Sequence, residues 1–117
     1  MWGAKGSDLI AQIQNGQQEA LGALYDQLAP LVNALARRIL GDPAEAEEVL
    51  AETFWQIWNS AQTYDPTRGT LEVWVISIAR SRALDRLRAR KRHDTVMGLH
   101  NTARQAAPGR QSSVPGK

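Results

Sequence analysis

The residues best suited to contact another molecule lie in an arginine-rich stretch, RSRALDRLRARKR, at residues 80–92. Seven of its thirteen positions are cationic, yet Ala83, Leu84 and Leu87 keep the spacing of an apolar helix face. The arginines at positions 82, 86 and 90 fall on one strip of such a helix, and guanidinium groups of this kind bind phosphates. The stretch therefore predicts a helix that contacts a polyanion.

A second strip of the same predicted helix is polar and mostly small. Ser77, Ser81, Asp85 and Arg88 fall within about 80° of arc, with Trp74 beside them. Hydroxyl and carboxylate groups can read the edges of nucleic-acid bases, but small residues are also common where two helices pack closely. The pattern alone leaves both interpretations open.

Aromatic residues cluster near the loop QTYDPTRGT, residues 62–70, since five of the chain's seven lie between positions 54 and 74. Stacking on such a ring contributes about 1–3 kcal/mol per unpaired base, and extruding a base from its stack costs a few kcal/mol. A pocket in this loop could therefore hold an extruded nucleotide at little net cost. Phe54, Trp58 and Trp74 are expected in the core, whereas core and surface stay open for Trp55 and Tyr64.

The charge is unevenly distributed along the chain. Residues 1–65 hold three Lys/Arg against nine Asp/Glu, a net of −6, and residues 66–117 hold eleven against three, a net of +8. Two different partners are expected from this asymmetry. The basic half suits nucleic acid or an anionic membrane surface, although a solvated basic helix end with a loose tail would show the same pattern.

Several functional classes are disfavoured by composition. The chain has no cysteine, and its two histidines, His93 and His100, lie in a polar region without other metal-ligand types nearby, so no metal or cofactor is expected. No nucleophile–base pair or glycine-rich phosphate loop is evident, which predicts a protein that is not an enzyme. No apolar run suggests a signal peptide or membrane span, and a cytoplasmic location is expected.

Helical spacing recurs from Ser7 to about Arg92 without alternating strand-like runs, which predicts an all-α fold, a compact bundle of about four helices. Ser7 is expected to cap the first helix, and Pro30 is expected to kink or split the second, which Gly41 ends. Residues 1–93 form one predicted helical domain. Residues 94–117, rich in Gly, Ser, Pro, Gln and Thr, are predicted to be a flexible linker or tail.

The third helix has the clearest start signal, Asp42-Pro43-Ala44-Glu45, which combines a capping acid, a first-turn proline and a capping-box glutamate. Its register predicts one apolar face and one polar face. The polar face carries Glu45, Glu48, Glu52 and Gln56. Such a face is either plainly solvated or a docking surface for a basic partner.

Three stretches occur in a diagnostic order: ARRILGDPAEAEEVLAETFWQIW, then YDPTRGT, then WVISIARSRALDRLRAR. Together they resemble region 2, the core-binding and minus-ten-reading domain, of bacterial sigma factors of the extracytoplasmic-function (ECF) group in the sigma-70 family. The resemblance covers about residues 8–92. It implies a transcription initiation factor that binds core RNA polymerase and recognises the promoter minus-ten element as single-stranded non-template DNA.

The resemblance also implies roles for individual residues. The loop at residues 62–69 matches the segment that cups a flipped nucleotide, and the last helix matches the element that reads the remaining bases. The implied DNA-binding residues are Tyr64, Asp65, Thr67, Arg68, Trp74, Ser77, Arg80, Ser81, Arg82, Asp85, Arg86 and Arg88. The third helix matches the surface that meets the clamp helices of the largest polymerase subunit. The implied polymerase-binding residues are Glu45, Glu48, Leu50, Glu52, Trp55 and Gln56.

Two departures from the family pattern affect these expectations. Ser81 stands where many relatives carry an asparagine whose amide can make paired contacts to a base, so base preference is expected to differ. No counterpart of the family's C-terminal helix-turn-helix domain follows Asp94, which favours a truncated chain with its linker at residues 94–117.

Two further interpretations stay open beside the leading one. The chain could be a protein-interaction module whose main partner is an anti-sigma regulator, with weak DNA binding in isolation. It could also place a basic amphipathic helix on a membrane, but the apolar face of residues 71–87 is expected to be committed to a core. A monomer without membrane partners is predicted.

Overall fold

The computed structural model describes residues 2–105, with side chains for residues 8–98. Four α-helices follow one another, α1 (Trp2–Gln14), α2 (Gln18–Leu40), α3 (Pro43–Ser60) and α4 (Leu71–Gln105). Two short 3₁₀ turns, Ala61–Thr63 and Pro66–Arg68, connect α3 to α4. No strand occurs among the described residues, so the predicted all-α fold of about four helices is confirmed.

Helix α1 begins earlier than its sequence suggests. Ser7 was expected to cap it, but the helix starts at Trp2 and Ser7 lies in its interior. A serine caps a helix only where the backbone before it leaves the helical region, and helical backbone precedes Ser7 here. The helix ends at Gln14, and Gly16 follows with a φ of 83° and an N–H that donates to the carbonyl of Ile13 at 2.9 Å.

Helix α2 continues through Pro30, so the predicted break into two helices does not occur. Proline removes one backbone donor, but Pro30 is exposed on the solvent side. On the opposite side Leu24, Leu28 and Val32 are at most 4% exposed, and this continuous buried face holds both halves of the helix in one register. The helix ends at Gly41, whose left-handed φ of 70° lets its N–H donate to Arg37 O at 2.8 Å.

Helix α3 starts where predicted and buries the expected face. Asp42 Oδ1 accepts a 2.9 Å hydrogen bond from Ala44 N, and Pro43 occupies the first turn. The buried residues of this helix are Ala46, Val49, Leu50, Thr53, Phe54 and Ile57. Helix α3 packs against α2, and α2 packs against α1.

The core combines residues from all four helices. Leu24, Val32, Ile57 and Val75 are fully buried, and α1 contributes a further isoleucine, Ile13. Helix α4 joins this core through Leu71, Val75, Ile78 and Ala79 in its first turns. The first turns of α4 are therefore anchored in the core, as their nearly continuous apolar sequence indicated.

Helix α4 continues beyond its predicted end at about Arg92, since it is described as far as Gln105. Residues 93–105 contain no proline and a single glycine, Gly98, and extending an existing helix is far easier than starting one. Residues 106–117 of the predicted tail lie outside the described residues. The structure divides into two units, Met1–Asp85 and Arg86–Lys117, and the predicted boundary between residues 93 and 94 stays a prediction.

Candidate nucleic-acid interface

A cleft of about 260 Å³ opens between the loop after α3 and the first turns of α4. It lies where the sequence placed a nucleotide-binding loop. Its lining residues are Thr63, Tyr64, Asp65, Arg68, Gly69, Val73, Trp74 and Ser77. Aromatic, cationic and hydroxyl groups therefore converge on one small cavity.

Two aromatic rings form part of the cleft and are held in fixed positions. The ring centroids of Tyr64 and Trp74 lie 5.3 Å apart with an interplanar angle of 53°, within the range that favours aromatic pairs. The hydroxyl of Tyr64 donates a 2.9 Å hydrogen bond to the carbonyl of Gly69. Both rings are half-buried, so each keeps part of its surface exposed for stacking.

The turn beside these rings is stabilised by Asp65. Its Oδ1 accepts hydrogen bonds from the Thr67 hydroxyl at 2.7 Å and from the Thr67 backbone N–H at 2.9 Å. These bonds, the hydroxyl bond foremost, lower the pKa of Asp65, and the nearby charge of Arg68 acts in the same direction. The carboxylate of Asp65 therefore stabilises the turn through its two hydrogen bonds with Thr67.

Gly69 joins this turn to α4 in a conformation that only glycine adopts readily, with φ 153° and ψ 168°. A β-carbon at this position would also lie 3.4 Å from Val73 Cγ1. One residue later, Thr70 Oγ1 accepts a 3.2 Å hydrogen bond from Val73 N and so caps the start of α4. The end of the loop and the start of α4 are thus set by two adjacent residues.

The polar strip of α4 faces solvent over its first part. Ser77, Ser81 and Asp85 follow at intervals of four residues and all three are exposed. The two serines therefore do not lie in a helix–helix contact of the described structure, which removes the alternative explanation for their small size. Ser77 also lines the cleft, so the strip begins at the cavity. Arg80, two residues before Ser81, is exposed as well.

Arg82 lies on a different side of α4 from these residues. It follows the buried residues Ala79, Ile78 and Val75 by three, four and seven positions, so it projects from the core-facing side of the helix. Its Nε donates a 2.7 Å hydrogen bond to Gln56 Oε1, and its Nη1 lies 3.5 Å from Glu52 Oε1. The sequence placed these three residues in two separate sites, and the structure brings them together.

The remaining arginines of the predicted site belong to the second unit, where Arg88 is exposed and Arg86 is half-buried. Among the described residues, no three His, Cys, Asp or Glu side chains are grouped as metal ligands. Within the same range, no helix is long and apolar enough to cross a membrane.

The predicted polymerase-binding residues separate into an exposed set and a buried one. Glu48 and Trp55 are exposed, the latter by 63%, and Glu45, Glu52 and Gln56 are half-buried. Leu50, in contrast, is 9% exposed and packs in the core. Leu50 precedes Phe54 by four residues and Ile57 by seven, which places it on the apolar face of α3.

A groove of about 480 Å³ between α2 and α3 was missed in the sequence. Its lining residues are Gln18, Leu21, Gly22, Tyr25, Phe54, Trp55 and Trp58. Tyr25 packs edge-on against Phe54 with ring centroids 5.0 Å apart and stays 41% exposed. The four-residue spacing of Leu21 and Tyr25 was the only sequence feature that could have indicated the groove. The same spacing is also expected for two residues on the buried face of an ordinary helix. As predicted, Phe54 is buried, while Trp58 and Trp74 pack partly buried against the core.

In a comparison with protein families, the chain matches sigma-70 region 2 over residues 24–93. This range includes the cleft and the exposed strip of α4 up to Asp85. Among curated proteins, the chain is 36% identical over 87 residues to the ECF RNA polymerase sigma factor SigK of Mycolicibacterium vanbaalenii. That alignment covers 74% of this chain and 44% of the relative.

Two further relatives carry the same name. The SigK protein of Mycobacterium ulcerans is 36% identical over 81 residues, which cover 69% of this chain and 43% of the relative. The SigK protein of Mycobacterium tuberculosis is 30% identical over 80 residues, which cover 68% of this chain and 43% of the relative. The chain thus spans less than half the length of the curated relatives it matches.

Proposed function

Because this chain belongs to the sigma-70 region 2 family, in its ECF group, we propose that it acts in transcription initiation by binding core RNA polymerase and capturing single-stranded minus-ten DNA. The observation that carries the DNA-binding part is the cleft between the loop and α4. It is smaller than the roughly 300–1,000 Å³ typical of drug-sized ligand sites, as suits a single base.

The cleft supplies the interactions that an extruded base needs. Tyr64 and Trp74 offer ring surface for stacking, and Ser77 offers a hydroxyl for a base edge. Stacking contributes about 1–3 kcal/mol per base, which is comparable to the few kcal/mol that flipping costs. Asp65 and Thr67 act by shaping the turn, since their side chains bond to each other.

Reading of the neighbouring bases is assigned to the exposed strip that starts at the cleft. Ser81 and Asp85 are one and two helical turns beyond Ser77 on the same face of α4. We assign contacts with the strand's phosphates to the exposed residues Arg68 and Arg80, and the same role to two arginines of the second unit, Arg86 and Arg88. No catalytic step is proposed for any of these residues.

Docking on polymerase is assigned to the exposed polar face of α3. Glu45, Glu48 and Glu52 offer carboxylates to basic residues of the clamp helices, and Trp55 offers a large exposed ring beside them. Aromatic anchors with a charged rim are typical of protein interfaces. Leu50 supports this face from the core side. The chain is proposed to act in the cytoplasm as a monomer.

A second candidate function is favoured by the groove between α2 and α3. It is predominantly apolar and shares Trp55 with the docking face, so a regulator seated there would also obstruct polymerase. We therefore propose an anti-sigma protein as an additional partner. If this were the main role, the isolated chain would bind single-stranded DNA weakly and without base preference.

Fluorescence anisotropy with a library of labelled non-template minus-ten oligonucleotides, at low and physiological salt, tests the DNA-binding function. We expect sequence-dependent binding that weakens with salt. Ser81→Ala should change base preference, whereas Arg86→Ala should weaken binding to all sequences and lower the salt slope by about 0.7, the value for one phosphate contact on a single strand. Equal effects of both substitutions on all sequences would contradict the assignment.

Co-purification with core polymerase tests docking. Glu48→Lys reverses one charge on the proposed face and should weaken binding. Glu47→Lys makes the same change on the same helix but on another side, where Glu47 borders a separate depression formed with Pro30 and Arg37. Glu47→Lys should bind polymerase like the wild type. Equal loss with both substitutions would show a general charge effect instead of a defined face.

A further inference from the structure

The contact between Arg82 of α4 and the docking face of α3 has no place in the function proposed so far. Its two partners, Gln56 and Glu52, are 26 and 30 residues away in the sequence. The Arg82 side chain is 29% exposed and that of Glu52 is 39% exposed. The contact is thus partly shielded from water and joins the DNA-reading helix to the face assigned to polymerase.

This contact determines how the Gln56 amide is oriented. A guanidinium group can only donate hydrogen bonds, so the oxygen of the amide must face Arg82 and its NH₂ group must point elsewhere. The Nε and Nη1 groups belong to one planar, rigid guanidinium, which holds Gln56 Oε1 at 2.7 Å and Glu52 Oε1 at 3.5 Å. The docking face therefore presents a defined amide donor among its carboxylates.

We propose that Arg82 is a positioning residue for polymerase docking and does not contact DNA phosphates. It holds Gln56 and Glu52 in the arrangement that the clamp helices meet, and it joins that face to α4. This assignment rests on the proposed polymerase-binding function. It differs from the sequence prediction, in which Arg82 was one of several equivalent phosphate-binding arginines.

Two arginines two residues apart give a matched comparison. Arg82→Ala and Arg80→Ala remove the same charge from the same helix, one from the core-facing side and one from the exposed side. We expect Arg82→Ala to lower polymerase affinity by roughly 3- to 10-fold, the effect of losing about one net hydrogen bond, and to leave the salt slope of single-stranded DNA binding unchanged. Arg80→Ala should instead lower that slope by about 0.7.

Two further variants separate positioning from simple loss of charge or stability. Arg82→Lys keeps the charge but lacks the planar guanidinium with its two fixed donors. It should therefore recover less than half of the polymerase-binding free energy that Arg82→Ala loses. In Gln56→Ala, Arg82 has lost its closer partner, so adding Arg82→Ala should weaken polymerase binding less than it does in the wild type. Unfolding measured by urea shows whether each variant is folded under assay conditions.

The proposal is overturned if Arg82→Ala lowers the salt slope as Arg80→Ala does, if Arg82→Lys binds polymerase like the wild type, or if the Arg82 and Gln56 effects are fully additive. It is also overturned if Arg82→Ala lowers stability alone and the folded variant binds polymerase normally. Failure of the wild type to bind polymerase is a different result, since it would remove the proposed docking function itself.

Discussion

Gly69 offers a sharp test of how the nucleotide cleft is built. Its backbone, with φ 153° and ψ 168°, occupies a region that is essentially restricted to glycine. A non-glycine residue held there costs about 1–3 kcal/mol. The added β-carbon of Gly69→Ala would also meet Val73 Cγ1 at 3.4 Å, so little relief is available on that side. We therefore expect Gly69→Ala to lower the free energy of unfolding by about 1–3 kcal/mol.

A second glycine supplies the matched control. Gly22 lies inside α2, and a β-carbon there would meet nothing within 4 Å. Gly22→Ala should raise the free energy of unfolding by about 0.5–1 kcal/mol, because alanine is the better helix former. The same glycine-to-alanine change is thus expected to lower the free energy of unfolding at position 69 and to raise it at position 22. The two variants should differ by at least about 1.5 kcal/mol.

Urea unfolding followed by circular dichroism measures both values, and oligonucleotide anisotropy shows the consequence for binding. Strain at Gly69 should also disturb the carbonyl that accepts the Tyr64 hydroxyl bond, so Gly69→Ala should bind the minus-ten strand more weakly than Gly22→Ala. A Gly69→Ala protein with the stability and DNA affinity of the wild type would refute the argument that this backbone conformation holds the cleft.

Two other predictions follow from local geometry. Because the folded-state pKa of Asp65 lies below its ordinary 3.8, its carboxylate stabilises the turn at neutral pH, and this contribution is lost as the pH falls through the folded pKa. Thr67→Val removes the hydroxyl bond and should raise the pKa of Asp65 toward its ordinary value. An unchanged pKa in an NMR titration would contradict the hydroxyl bond as the main cause of the shift. Ile57→Ala, at a fully buried site, should cost about 2–5 kcal/mol of unfolding free energy. Leu31→Ala, at a site 44% exposed, should cost clearly less, and equal losses in urea unfolding would contradict the assigned core.

The two proposed binding surfaces are physically linked in this protein. Helix α4 presents the polar strip on one side and holds Arg82 against α3 on the other. A partner that displaces the Arg82 contact would therefore act on both elements. Exposed ion pairs contribute only about 0–1 kcal/mol, so the value of this contact lies in geometry more than in stability.

Local chemistry in the sequence determined much of this structure. Asp42 and Pro43 start α3 and Gly41 ends α2 because capping and left-handed termination depend on adjacent residues only. The four-residue spacing of Ser77 and Ser81 likewise placed both on one face of α4, because the helical period is the same in every helix, whereas the exposure of that face depended on packing. The family motifs, read in order, suffice to identify region 2, because their spacing is a property of the sequence alone.

Other features were decided only when the helices packed. Arg82 looked equivalent to its neighbouring arginines, since nothing local states that Gln56, 26 residues away, lies opposite it. Tyr25 and Phe54, far apart in the sequence, likewise meet only because α2 packs against α3. Patterns over a few residues predict which residues share a face of a helix. Which faces of two helices meet depends on long-range packing. That packing formed the cleft and the groove, and it underlies the role proposed for Arg82.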